Sequence, residues 1–376
     1  MKHDTGEICA TLRQALLATR TRRDLLRILR GTSAGSLALA ALSGVSSPSF
    51  AADEKPVTAF VFGGAWKRAI IEAAGDPFTK KNGIAVRYQD PYNWAKLRAM
   101  HEAKAQQMDC ASVQGTEVIM ASRLGMSVPL DWNVIDRAVL APAQLTRPNA
   151  IGGYSLSMVL CYSTASWPGA TRPNTWADFW NVEKFPGRRA MRRDALWSIE
   201  VAMRAAGTRE ESFYPVDLDH AFQMLDRIKP HIKTWWADNS QAQALMERQE
   251  IDLMAAMDGR ASETIATSNA PYQVVWNQQI NTGDGQGWIV LTGAPNAAGA
   301  MKFLDFVGRP ETLATFARLL YYAPRNPKAY DLIDPALARR LSSYPQNEQD
   351  VHRINYDWWA DNLIPAQRRF ERWLQS

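Results

Sequence analysis

The chain of 376 residues is poor in the residues that build metal and disulfide frameworks: it has three cysteines and five histidines. Cys9 lies in an amino-terminal segment discussed below, so the bulk of the chain holds only Cys110 and Cys161, which read either as one disulfide or as two buried free thiols. The histidines stand apart from one another and from the cysteines, so no zinc-ligand spacing occurs and neither a metal site nor a cofactor is expected. Uninterrupted apolar residues are too few to cross about 30 Å of hydrocarbon, which takes about 20. Beyond residue 51 there is no G-x-S-x-G elbow, no phosphate-binding G-x-x-x-x-G-K-[ST], no H-E-x-x-H and no nucleophile with an evident base. Asp217 and Asp219, the nearest thing to paired carboxylates, follow Tyr214-Pro215 where helix capping explains them. A hydrolase is therefore the weak alternative, and no enzyme is expected.

A usable excess of charge is lacking too. The net charge is +5, but the first 51 residues carry seven basic side chains against three acidic ones, leaving about +1 for the rest. That is no footprint for nucleic acid, which needs a basic face.

The amino-terminal segment does carry a pattern. Thr21-Arg22-Arg23-Asp24-Leu25-Leu26-Arg27 precedes a weakly apolar stretch, Gly31 to Val45, and a small-residue end at Ser49-Phe50-Ala51. Basic start, modest apolar core and small-residue end make an export leader over residues 1–51, with cleavage after Ala51 or Ala52. The run resembles a twin-arginine signal, which implies export of a folded protein to the periplasm.

About 325 residues then remain, more than a single core usually supports, so two lobes are expected. No linker separates them, which predicts that the chain crosses between lobes more than once. Strand signals fall at 57–62, 84–88, 109–113, 157–162, 251–257, 273–276 and 288–291. Helical periodicity falls at 67–80, 117–124, 176–180, 195–206 and 216–228, and helices are expected to dominate after Asn296. The early strand-turn-helix-strand order is a βαβ unit, so the class is α/β with mixed sheets and a helical C-terminal tail.

Several phrases carry a family resemblance. Phe62-Gly63-Gly64-Ala65-Trp66, Asp76-Pro77-Phe78 and Asn82-Gly83-Ile84-Ala85-Val86 are similar to the opening of the spermidine/putrescine-type periplasmic solute-binding proteins of ABC transporters. Trp176-Ala177-Asp178-Phe179-Trp180 with Phe185-Pro186-Gly187-Arg188-Arg189 resembles their mid-chain signature. Asp258-Gly259-Arg260, Trp276-Asn277-Gln278, Gly293-Ala294-Pro295-Asn296 and Tyr321-Tyr322-Ala323-Pro324-Arg325-Asn326 follow in the family's order. The resemblance implies a two-lobed clamshell, with residues 52–157 plus 287–320 as lobe 1 and 158–286 plus 321–376 as lobe 2. It also implies a monomer that closes on a small molecule and delivers it to an ABC permease in the inner membrane.

The residues themselves suit a cleft. Gly63-Gly64 after a strand allows close backbone approach, Trp66 can cover a ligand, and Gln114 occupies the matching place after the third strand. Of the 14 tryptophans, Trp197, Trp235, Trp236, Trp276 and Trp288 cluster where the second lobe is expected; two or three of them, Trp197 first, are expected to touch ligand. The candidate site is Gly64, Trp66, Gln114, Asp194, Trp197, Arg260, Trp276 and Tyr321. The sequence departs from polyamine binders in one respect. Asp194 sits at an acidic pocket position, but Trp197 replaces the next acid, and the third falls near Gln286 or Asp284. Arg193 and Arg260 lie beside the cleft, where a guanidinium suits a carboxylate, or pairs structurally with Asp194, Glu200 or Asp258. The ligand thus stands open between a polyamine-type cation and an amino acid or ω-amino acid. Tyr321-Tyr322 adds ferric ion as an alternative, since ferric binders of the wider clamshell group use paired tyrosines. A sensory co-receptor of the same fold is the rival of another class.

Overall fold

The structure, a computed structural model, describes residues 55–376 except 146, 284 and 285. The export leader lies outside the described residues. Along the chain come strands β1 (Val57–Phe60), β2 (Val86–Gln89), β3 (Cys110–Gln114), β4 (Ala150–Ile151), β5 (Tyr154–Ser155), β6 (Ser157–Ser163) and β7 (Arg189–Arg192). Then follow β8 (Ile232–Trp236), β9 (Leu253–Met257), β10 (Tyr272–Asn281), β11 (Gln286–Val290), β12 (Ala323–Pro324) and β13 (His352–Arg353).

They form two mixed sheets, β2-β1-β3-β11-β4 and β13-β10-β6-β9-β7-β8, and a small pair, β12-β5. In the first sheet β1 runs parallel to β2 and β3, while β11 is antiparallel to β3 and β4. In the second, β7 is parallel to β8 and β9, and β6 is antiparallel to β9 and β10. The chain passes between the sheets after β4, between β10 and β11, and again before β13. Two of the crossings are tied together: Thr282 N–H donates to the Leu156 carbonyl (2.8 Å) and Leu156 N–H to the Thr282 hydroxyl (2.9 Å). This is an α/β periplasmic-binding-protein architecture, and its central strands β6 and β9 are buried throughout, as continuous apolar runs such as Leu253–Met257 require.

Local sequence accounts for most elements. The predicted helix 67–80 is a longer run, Gly64–Asn82, with a π-turn at Ile71–Gly75. It ends at Gly83, whose φ of 74° suits a residue without Cβ. Asp194 and Asp217 cap the helices Ala195–Ala205 and Leu218–Ile228, accepting from Trp197 N–H (3.2 Å) and His220 N–H (3.0 Å). Asp219 pairs with Arg369 (2.6 Å), so both members of this acidic pair have structural partners.

Besides the two-residue strands β4, β5, β12 and β13, the expected pattern lacks β7 and β8, which are short and carry charged or polar residues, Arg-Ala-Met-Arg and Ile-Lys-Thr-Trp-Trp. The tail is also less helical than expected. Between Tyr321 and Asn355 the chain forms short turns and two-residue strands, before the closing helix Tyr356–Gln375. Cys110 and Cys161 sit on β3 and β6, in different sheets, as buried free thiols. Burial pushes both thiols upward, and Asp109 and Asp258 respectively add to it. Among the described residues no helix is long and apolar enough to cross a membrane.

Candidate functional site

A cavity of about 420 Å³ opens where strands of both sheets end. It is met by Gly63 and Gly64 just after β1, by Gln114 at the end of β3, by Arg192 and Asp194 at the end of β7, by Asn239 after β8, and by Arg260 after β9. Carboxyl ends of parallel strands leave their last N–H groups and the following helix N-termini pointing into open space, which is why ligands collect there in open α/β sheets. Gly64 holds φ 63°, a conformation that side chains with Cβ rarely adopt.

Six of the eight expected residues line this cavity: Gly64, Trp66, Gln114, Asp194, Trp197 and Arg260. Trp66 is only 7% exposed. Its ring packs edge-on to Phe62 and Phe316, and its Nε1 donates to the Tyr154 hydroxyl (2.7 Å). Gln114 N–H donates to Glu117 (2.9 Å), which also accepts from the Tyr92 hydroxyl (3.1 Å). Burial pushes the Glu117 carboxyl up to about 7 against the opposing pull of these donors.

The other two lie elsewhere. Trp276 is half-buried against the core, on β10 beside the register shift between Val275 and Ile280. Tyr321 caps the helix Pro310–Leu320 in the left-handed region (φ 57°), and it packs, partly buried, against the apolar cluster that includes Leu313, Ala317 and Leu341. This backbone reversal turns its neighbour inward instead. Tyr322 lines the cavity, 5.0 Å from the Tyr154 ring, with the Arg260 guanidinium 5.4 Å from its centroid. The two tyrosines therefore do not converge as paired phenolates.

Of the five tryptophans singled out, Trp197 alone lines the cavity. Trp235 packs on Phe370 and Trp373, Trp236 is fully buried, and Trp288 packs against Trp66 and Phe303. Arg193 faces away and pairs with Glu371 (2.8 Å) rather than with any of the acids expected for it. Of the two neighbours it is the predecessor, Arg192, that joins Arg260 at the cavity, and pattern reading missed it because adjacent strand residues point to opposite faces. Asp284 lies outside the described residues.

The electrostatics of the wall are uneven. Arg260 is held by Glu263 through its Nη1, and its Nη2 approaches the Tyr322 hydroxyl at 3.5 Å. Burial opposes its charge, but Tyr322 and Glu263 raise its pKa on balance. Arg192 makes no ion pair or side-chain hydrogen bond among the described residues, and its Nε is buried. Asp194 has no basic partner there either. Two amide oxygens of the lining, Asn239 Oδ1 and Gln286 Oε1, are buried without a hydrogen-bond partner. Unsatisfied buried polar atoms cost about 1–3 kcal/mol each, and with the Arg192 Nε three of them line this cavity.

A two-sheet α/β chain with a polar cavity at its strand ends defines a periplasmic-type solute receptor. Residues 73–347 match the bacterial extracellular solute-binding protein family, and the chain belongs to it. It is 29% identical over 330 residues to a gamma-aminobutyric acid-binding protein of Pseudomonas aeruginosa, covering 86% of this chain and 92% of that protein. It is 24% identical to the spermidine/putrescine-binding periplasmic protein of Escherichia coli, over 83% of this chain and 89% of the other. Among solved structures it is similar to an ABC transporter substrate-binding protein from Bradyrhizobium japonicum. The TM-score is 0.78 and the identity 32%, over 85% of this chain and 99% of that one. The chain is the substrate-binding component of an ABC transporter: it works in the periplasm, takes a small molecule and serves a permease.

Proposed function

We propose that the solute is a small zwitterion of the amino-acid or ω-amino-acid type, held between lobe 1 (52–157 with 287–320) and lobe 2 (158–286 with 321–376). The observation that carries this reading is the charge balance of the wall. Arg192, Arg260, Asp194 and the Glu263 behind Arg260 sum to zero, with one guanidinium and one carboxylate left unpaired. A polyamine brings two or more ammonium groups, each needing an anion once desolvated, and the wall offers Asp194 alone. A zwitterion places its carboxylate against guanidinium and its ammonium against Asp194, where Gln286 Oε1 and Asn239 Oδ1 add two acceptors. Trp197 and Trp66 face the aliphatic part. The relative that binds gamma-aminobutyric acid supports this class, and the polyamine-binding relative supports the broader cationic one.

The remaining parts of the reading are a monomer without catalytic activity, exported by the twin-arginine route. Calorimetry of the mature protein decides the ligand. ω-Amino acids or α-amino acids are expected to bind and to stabilise the fold, by about 2.7 kcal/mol at a hundredfold excess over Kd. Tighter binding of putrescine, spermidine or ferric citrate overturns the zwitterion reading.

A further inference from the structure

We infer that Arg192 is the specificity-determining anchor for the solute's carboxylate; this rests on the zwitterion reading above.

Arg192 is the last residue of β7, and its backbone is tightly set. It pairs in register with Trp236 on β8, its carbonyl accepts from the Ser198 hydroxyl (2.7 Å), and the next N–H donates to the Trp236 carbonyl (2.8 Å). Its guanidinium lies 5.0 Å from the centroid of the fully buried Trp236 ring, which is itself fixed by an Nε1 bond to the Ala255 carbonyl (3.1 Å). The stem is thus preorganised, and the side chain enters the cavity beside Asp194.

What distinguishes Arg192 is the absence of a partner among the described residues. Other arginines in this half of the molecule have polar partners: Arg189 donates to the carbonyls of Phe179, Phe185 and Gly187, and Arg204, whose Nε is likewise buried without a partner, still pairs through Nη2 with Asp350 (2.6 Å). Arg260, the other guanidinium of the wall, already has Glu263 and the Tyr322 hydroxyl. A stacked ring stabilises a cation modestly but accepts no N–H bond in the plane of the guanidinium. Arg192 keeps a buried Nε donor and its terminal N–H groups for an acceptor from outside, and a carboxylate fits that fork in two parallel bonds. Arg260 then orients Tyr322 and closes the wall, rather than carrying the main contact.

The test pairs two arginine substitutions with two probes, 4-aminobutyrate and putrescine, titrated calorimetrically against the mature protein. Losing one partner of a desolvated ion pair costs upwards of ~30-fold in affinity. Arg192→Gln is therefore expected to weaken 4-aminobutyrate by ~30-fold or more while leaving putrescine unchanged or stronger. Arg192→Lys keeps the charge without the fork and is expected to recover part of the loss. Arg260→Gln is expected to weaken both probes by similar factors. Equal loss for both probes in Arg192→Gln, or retention of 4-aminobutyrate binding, overturns the anchor while the zwitterion reading stands. Wild-type protein that binds putrescine but not 4-aminobutyrate, or that binds neither probe nor any α-amino acid, removes the zwitterion reading and the anchor together; where only an α-amino acid binds, it replaces 4-aminobutyrate as the zwitterionic probe in the same comparison. Thermal melts of the unliganded variants show that the loss is not one of folding.

Discussion

His352 Nε2 meets Glu200 Oε2 at 2.7 Å in the interior, with both side chains fully buried. The other ring nitrogen contacts Glu210 (2.6 Å), and the ring stacks on Phe213 with centroids 3.8 Å apart. Glu200 also accepts from the Tyr214 hydroxyl and from Trp359 Nε1 on the closing helix (2.5 Å each). Three stretches distant in sequence therefore share one polar knot, one helical turn beyond Trp197 on the same helix.

This knot makes stability depend on pH. Burial alone pulls the His352 pKa down, but Glu200 and Glu210 outweigh it, so the folded value lies above the ordinary 6.5. The stabilisation from the charged imidazole is then fully present below about pH 6.5 and fades as pH rises through the raised folded value. His352→Gln is expected to cost several kcal/mol at pH 6 (about 3–5 for a broken buried pair) and less at pH 9. Urea melts at both pH values measure this; a gap that does not narrow contradicts it.

Glu117 predicts a second pH effect. Its carboxyl ionises at about 7 rather than 4.5 because burial disfavours the anion. A raised carboxyl contributes stability below its ordinary pKa and loses it as pH climbs through the folded one. Glu117→Gln, which keeps an acceptor for Gln114 N–H, is expected to flatten the decline between about pH 4.5 and 7. It is expected to be the more stable form at pH 8. A wild-type protein more stable than the variant at pH 8 refutes this.

Asp194 caps a helix, and on the zwitterion proposal it also meets the ligand's ammonium; one substitution separates the two. Asparagine caps helices as well as aspartate does, so Asp194→Asn should leave the melting temperature of the unliganded protein nearly unchanged. The ligand's ammonium loses its counter-ion, and affinity should drop by roughly 10-fold or more. Unchanged affinity would place the ammonium elsewhere.

Arg189 predicts a purely structural phenotype. Its guanidinium supplies donors to the carbonyls of Phe179, Phe185 and Gly187 at the mid-chain turn. Arg189→Met leaves those carbonyls bare and should destabilise by about 3 kcal/mol or more. The ratio of affinities for 4-aminobutyrate and putrescine should not move; calorimetry on the folded fraction checks it.

Features with a local cause were legible in the sequence. Apolar runs marked the central strands, Gly63-Gly64 marked the approach after β1, and Asp217 announced a helix start. Trp66, Gln114, Trp197 and Arg260, expected at a cleft from the sequence, all line the cavity, because each lies at or within a few residues of the end of a strand. β7 and β8 escaped because two arginines end one and a lysine interrupts the other, which masks burial until neighbouring strands cover them.

The sequence by itself determined the order of the main elements and many of the caps and turns, since these depend on contacts a few residues apart. Tertiary structure alone decided between Arg192 and Arg193, and between Tyr321 and Tyr322. In each pair one backbone step, the alternation of a strand or a left-handed cap, sends one side chain to the cavity and its neighbour to the opposite face. Facing depends on how β7 registers with β8 and on where the helix Pro310–Leu320 docks, and composition carries no trace of either.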